Sequence, residues 1–178
     1  MSDRLSISGE EDDWQVFGKT PAGANETLFR SRTGNPAIQA YALANQMMRV
    51  RCVLRDDQVG PNGMPISTKD LDDYEDRLLA ALTDADAEVY LIAVVTGDGN
   101  RDLFFMARDL DDLRTGIKAA QTSVDTFKLQ LAPVGDRPAF LKGLSLSQEQ
   151  IQTAAAAGRV HEVPTQRGSG FFGKLFGR

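Results

Sequence analysis

The chain has few of the residues from which reactive centres are usually built. Its 178 residues include one cysteine, Cys52, and one histidine, His161. A lone cysteine excludes an internal disulfide and any multi-cysteine metal site, and a lone histidine excludes a multi-histidine site. No stretch approaches the roughly 18 to 20 unbroken apolar residues of a membrane-spanning helix. The opening Met1-Ser2-Asp3-Arg4-Leu5 lacks the basic-then-apolar pattern of a secretory leader. Gly60-Pro61-Asn62-Gly63-Met64-Pro65 has no Lys-Ser/Thr after it, so it is not a phosphate-binding loop. The run from Gly97 to Asp102 lacks the ligand spacing and closing glutamate of a calcium loop. The expectation is a cytoplasmic, non-catalytic protein with no catalytic residues, metal or cofactor.

What remains is ordinary globular material: 42% hydrophobic, 25% charged and 7% aromatic, enough for one core. The net charge of −5 is unevenly placed. Arg159, Arg167, Lys174 and Arg178 outweigh Glu162 near the C-terminus for a net of +3, which leaves −8 on residues 1–158. An acidic body argues against nonspecific nucleic-acid binding, which draws on counterion release from phosphates. The expected partner is a protein.

Hydrophobic periodicity places the elements. Trp14–Phe17 and Thr27–Arg32, around a turn at Pro21–Asn25, read as a β-hairpin. In Met48–Arg55, Met48, Val50, Cys52 and Leu54 alternate with Arg49, Arg51 and Arg55, a strand with one apolar and one cationic face. A helix capped by Ser67 or Thr68 carries Leu71, Tyr74, Leu78 and Leu82 at spacings of 3, 4 and 4. Val89–Val95 is a continuous apolar strand, Gly97-Asp98-Gly99-Asn100 a hairpin turn, and Asp102–Arg108 the returning strand. Asp109 caps a second helix with Leu110, Leu113, Ile117, Ala120 and Val124 as its stripe. Phe127–Leu131 is a last strand stopped by Pro133.

From Met48 to Leu131 the order is strand, helix, strand, strand, helix, strand. This predicts an α+β fold: a ferredoxin-like βαββαβ antiparallel sheet with helices on one face, preceded by an N-terminal β-hairpin and followed by a C-terminal helix and tail. Ser147 with Gln150 has capping-box spacing, and Gly158 marks a stop, so the further helix is expected within 145–158. The expected organisation is a disordered leader at 1–12, the ferredoxin-like domain with its hairpin at 13–133, an extension with a helix at 134–158, a linker at 159–170 and an amphipathic basic tail at 171–178.

Arg30, Arg32, Arg49, Arg51, Arg55 and Lys128 all fall on or beside predicted strands. They read either as an anion-binding or partner-docking sheet face, or as a row paired with acidic neighbours. Tyr90, Phe104 and Phe105 could supply rings for base stacking on such a sheet, but Arg101–Met106 matches the RNA-recognition signature poorly. Asp70, Asp72, Asp73, Asp76, Asp109, Asp111 and Asp112 sit in or near first helical turns, where the helix dipole accounts for them. Cys52 is expected as a small core hydrophobe, and His161 as a solvated linker residue. In the tail, Phe171, Phe172, Leu175 and Phe176 would share one helical face and Lys174 and Arg178 another, as suits an anionic membrane surface or a partner's groove; docking on its own domain stays open.

Residues 13 to about 131 resemble the bacterial domain of unknown function 695 family. The resemblance is carried by Asp13-Trp14, Leu28-Phe29-Arg30-Ser31-Arg32, Gly63-Met64-Pro65 and the run from Val94 to Phe105. It ends at Asp136-Arg137-Pro138-Ala139-Phe140, which departs from the family's closing pattern. The family resembles RraB-type inhibitors of ribonuclease E in its ferredoxin-like plan, which implies a regulator or adaptor and supplies no catalytic residues. The last nine residues resemble the C-terminal membrane-targeting helix of the cell-division ATPase MinD, which implies a peripheral position on the inner face of the membrane. The expected function is therefore a non-catalytic adaptor or regulator that binds a protein partner. An RraB-like inhibitor of an RNA-processing enzyme and an uncharacterised enzyme are the alternatives.

Overall fold

A computed structural model describes residues 14–19, 25–34 and 36–144. The expected leader, the 145–158 helix, the linker with His161 and the tail from Phe171 to Arg178 lie outside the described residues.

The described chain is α+β: a six-stranded antiparallel sheet with four helices. The strands are β1 (Gln15–Lys19), β2 (Thr27–Ser31), β3 (Gln46–Val53), β4 (Val89–Gly97), β5 (Asn100–Ala107) and β6 (Lys128–Pro133). The helices are α1 (Pro36–Ala44), α2 (Lys69–Asp84), α3 (Leu110–Ala120) and α4 (Arg137–Gly143). The strand order is β1-β2-β4-β5-β3-β6, so the N-terminal hairpin extends the sheet beyond β4.

Each strand's period of two sorts its side chains onto two faces. On the first, the apolar stripes of α2 (Leu71, Tyr74, Leu78, Leu82) and α3 (Leu113, Ile117, Ala120) bury against Val50, Cys52, Val94, Leu103 and Phe105. The two helices approach closely at Gly116, where an added Cβ would lie 2.6 Å from Leu82 Cδ2. On the second face, Ile38 and Ala42 of α1, with Leu141 and Leu144 at α4, cover Met47, Ile92, Ala93, Phe104 and Met106. A bulge between Leu91 and Ala93 makes this possible: Ile92 and Ala93 both join the second core, and Val94 returns to the first.

Helices on one face only is therefore corrected. α2 and α3 share the first face, but α1 and α4 bury a second core on the other. Phe104 and Phe105 are both buried and Tyr90 is half-buried, packed edge-on against Tyr41 at 5.3 Å, so the three do not form an open stacking platform. Val124 is 77% exposed because α3 stops at Ala120, four residues before the stripe would include it.

The turn between β4 and β5 follows its sequence. Asp98 and Gly99 take positive φ angles of 50° and 69°, the conformation a two-residue hairpin loop requires. Asp109 caps α3 by accepting the Asp111 amide at 2.8 Å.

Candidate functional site

The segments that carry the family resemblance are far apart in sequence and meet in two places: at the β4–β5 turn, and beside Arg30 and Arg32, which lie opposite Val94 and Ile92 further along β4. The Gly99 amide donates to the Gly63 carbonyl at 2.9 Å, which joins the Gly63-Met64-Pro65 turn to the β4–β5 hairpin. Asn25 donates through Nδ2 to Asp98 at 2.8 Å and packs against Gly63, where φ is +79° and a Cβ would meet that same Nδ2 at 2.8 Å. The Trp14 ring lies 4.9 Å from the Arg30 guanidinium and 5.1 Å from that of Arg32, within cation–π range. Arg32 also donates through Nε to the Leu91 carbonyl at 2.7 Å.

Below this assembly is a buried charge cluster between β2, β5 and α2. Arg101 is 0% exposed. Its Nη1 lies 2.6 Å from Asp72 Oδ1 and 3.9 Å from Glu75 Oε2, and its Nε donates to Thr96 Oγ1 at 3.3 Å. Glu75 also pairs with Arg30. Asp72 accepts the Thr68 hydroxyl at 2.8 Å. Arginines suit this role because they stay charged and present several donors in a fixed fork. The cluster fastens α2 to the sheet through charge-assisted hydrogen bonds.

The six cations expected on one sheet face are split among several environments. The register Arg30↔Val94 and the bond to Glu75 place Arg30 on the first face, under α2. Arg32 is buried beyond the end of β2. Arg55 follows β3 in a loop and pairs with Asp57 at 3.1 Å. Arg49, Arg51 and Lys128 do share the second face, set there by the registers Arg49↔Ala132, Arg51↔Gln130 and Val53↔Lys128. Arg51 grips Asp102 with both Nε and Nη2 at 2.7 Å, a bond that raises the arginine's pKa.

The family model that matches residues 12–137 is described as a family of unknown function, DUF695. The chain belongs to it. No curated protein and no solved structure matches the chain. The matched span takes in all six strands and α1 to α3 and reaches the first residue of α4, so the DUF695 unit includes the charge cluster and both sheet faces.

Other titratable groups of this DUF695 chain stay out of these assemblies. Cys52 is buried on the first face, where desolvation pushes its thiol up to about 12. Burial also raises the Tyr74 hydroxyl, whose ring packs edge-on against Phe127 at 5.2 Å. Among the described residues no group of three or more His, Cys, Asp or Glu side chains is placed to hold a metal ion. No described helix is long and apolar enough to cross a membrane. Sequence reasoning assigned Asp72 to the helix dipole and did not see Glu75 as a ligand of Arg101. The available signal was position: Glu75 is four residues after Leu71 and three before Leu78, inside the apolar stripe, where a carboxylate needs a buried partner.

Proposed function

We propose that this DUF695 chain is a non-catalytic adaptor or regulatory protein that docks a basic protein partner on the outer surface of α2, and that its core follows the ferredoxin-like plan. The order β4-β5-β3-β6 supports the plan: α2 joins β3 to β4 across β5, and α3 joins β5 to β6 across β3.

The observation that carries the docking reading is the crowding of carboxylates along α2. Asp70, Asp73 and Asp76 are exposed, with Asp72 and Glu75 beside them. Arg77 is turned away, donating to the Ala120 carbonyl at 3.0 Å and to Asp125 at 2.5 Å, and the helix's other cation, Lys69, pairs with Asp73 alone, leaving Asp70 and Asp76 without a cation from α2. Desolvation raises the Asp76 carboxyl above its ordinary value, and repulsion from Glu75, Asp72 and Asp73 raises it further. A basic partner relieves that repulsion, and attraction between opposite charges speeds its arrival. The same surface also suits an inhibitor of an RNA-processing enzyme, because a groove that binds RNA is basic.

The test is affinity purification of the tagged full chain from its own cells beside a D73K/D76K variant and a chain lacking residues 168–178. A partner retained by the wild type and lost from D73K/D76K supports the reading. The same partner recovered equally from both refutes it. The tail's proposed role at an anionic membrane surface requires the shortened chain to keep the partner but lose sedimentation with phosphatidylglycerol liposomes. A ribonuclease among the retained proteins, slowed by the wild-type chain and not by D73K/D76K, selects the inhibitor reading.

A further inference from the structure

The second sheet face has the opposite character. The strand side chains of β3, β5 and β6 that share this face include three cations, Arg49, Arg51 and Lys128, and one acid, Asp102, already gripped by Arg51. In a chain of net charge −5 this is a local reversal of sign. Gln130 sits at its centre. It pairs directly with Arg51, lies two residues from Lys128 along β6, and is diagonal to Arg49 across the β3–β6 ladder. Those offsets put the Cα atom of Lys128 about 6.6 Å and that of Arg49 about 7–8 Å from that of Gln130, within reach of long side chains.

Arg49 is the unusual member. It has no ion pair with any described residue, and its Nε is buried with no hydrogen-bond partner. Burying a cationic donor without an acceptor is unfavourable, and such groups in a folded protein point to an absent ion, water or ligand. Arg51, fixed by Asp102 with its side chain 30% exposed, is an oriented second cation. Gln130 and Lys128 are both exposed on the edge strand β6 and add a neutral donor and a mobile ammonium.

We propose that this face, centred on Gln130 and bounded by Arg49, Arg51 and Lys128, binds a phosphate-bearing anion. The site lies on the opposite side of the sheet from α2 and does not depend on docking at the acidic helix. Three cations around one amide can meet several non-bridging oxygens of a phosphate or diphosphate group, so the ligand class is a phosphoryl anion, carried by a soluble compound or by a lipid headgroup.

Titration of the isotopically labelled full chain with sodium pyrophosphate, and separately with nanodiscs containing phosphatidic acid, tests this by nuclear magnetic resonance. The expected result is saturable shifts at the Arg49 and Arg51 Nε–H groups and the Gln130 side-chain amide. Affinity should fall at least about tenfold in R49M, the scale of one lost charged hydrogen bond. It should fall about threefold in K128M, the scale of one exposed charge. Response to pyrophosphate assigns a soluble phosphate compound, and response to the nanodiscs alone assigns a headgroup. Absence of saturable shifts with both probes overturns the proposal. So does a K128M variant that binds as tightly as the wild type, a reading that stands even if R49M does not fold.

Discussion

Replacing Arg101 with methionine tests whether the buried charge cluster holds α2 to the sheet. The substitution keeps an unbranched side chain of similar reach and removes the charge. Glu75 retains Arg30, and Asp72 retains only the Thr68 hydroxyl after losing the guanidinium 2.6 Å away. The loss therefore falls on Asp72, whose side chain is 13% exposed and has little water to replace its partner. Removing one member of such a pair costs about 3–5 kcal/mol, a large part of the roughly 5–15 kcal/mol that stabilises an ordinary domain. With a urea dependence near 2 kcal/mol per molar, the unfolding midpoint followed by circular dichroism should fall by about 2 M. Adding D72N to R101M removes the stranded charge and should restore at least about half of the loss. A loss below about 1 kcal/mol in R101M, or no recovery in the double variant, refutes the role assigned to the cluster.

Two further outcomes follow from groups on the α2 side of the sheet, one beneath the helix and one on its outer surface. Cys52, buried and with its thiol raised to about 12, should resist iodoacetamide at pH 8 in the folded chain and react promptly in urea; rapid modification of the native protein, read by mass spectrometry, contradicts the packing. Asp76 holds its proton more tightly in the folded than in the unfolded state, so ionisation destabilises the fold as pH rises through the folded value. D76N should therefore be more stable than the wild type at pH 7 in chemical denaturation. The gain should fade as pH is lowered toward the ordinary value of 3.8, and a gain that grows on acidification has the wrong sign.

Legibility in the sequence tracked the strength of local periodicity. β3, α2 and α3 have apolar residues at unbroken spacings of two or of three and four, β4 and β5 are continuous apolar runs on either side of a turn signal, and the Gly97–Asn100 turn names its own geometry. α1 was not legible because it spans nine residues and buries only Ile38 and Ala42 among alanines that suit several structures. α4 is shorter still, and its burial depends on a second core that no local pattern announces. The site depended on non-local facts. Which face Arg30 occupies is settled by β2 pairing with β4, more than sixty residues away, and Asp102 becomes the partner of Arg51 only through the β3–β5 register.

The bulge in β4 has a consequence for the uniqueness of the fold. Because the strand changes phase at Ile92, its first half is keyed to Leu91 on the α2 side and its second half to Val94 and Thr96, with one surplus residue between them. Sliding β4 by one position in either direction moves Val94 from the first core to the second and takes the Thr96 hydroxyl away from Arg101. An insertion or deletion that corrects one half misaligns the other. The kink therefore works as a lock with two wards: only one alignment of the strand satisfies both interiors at once.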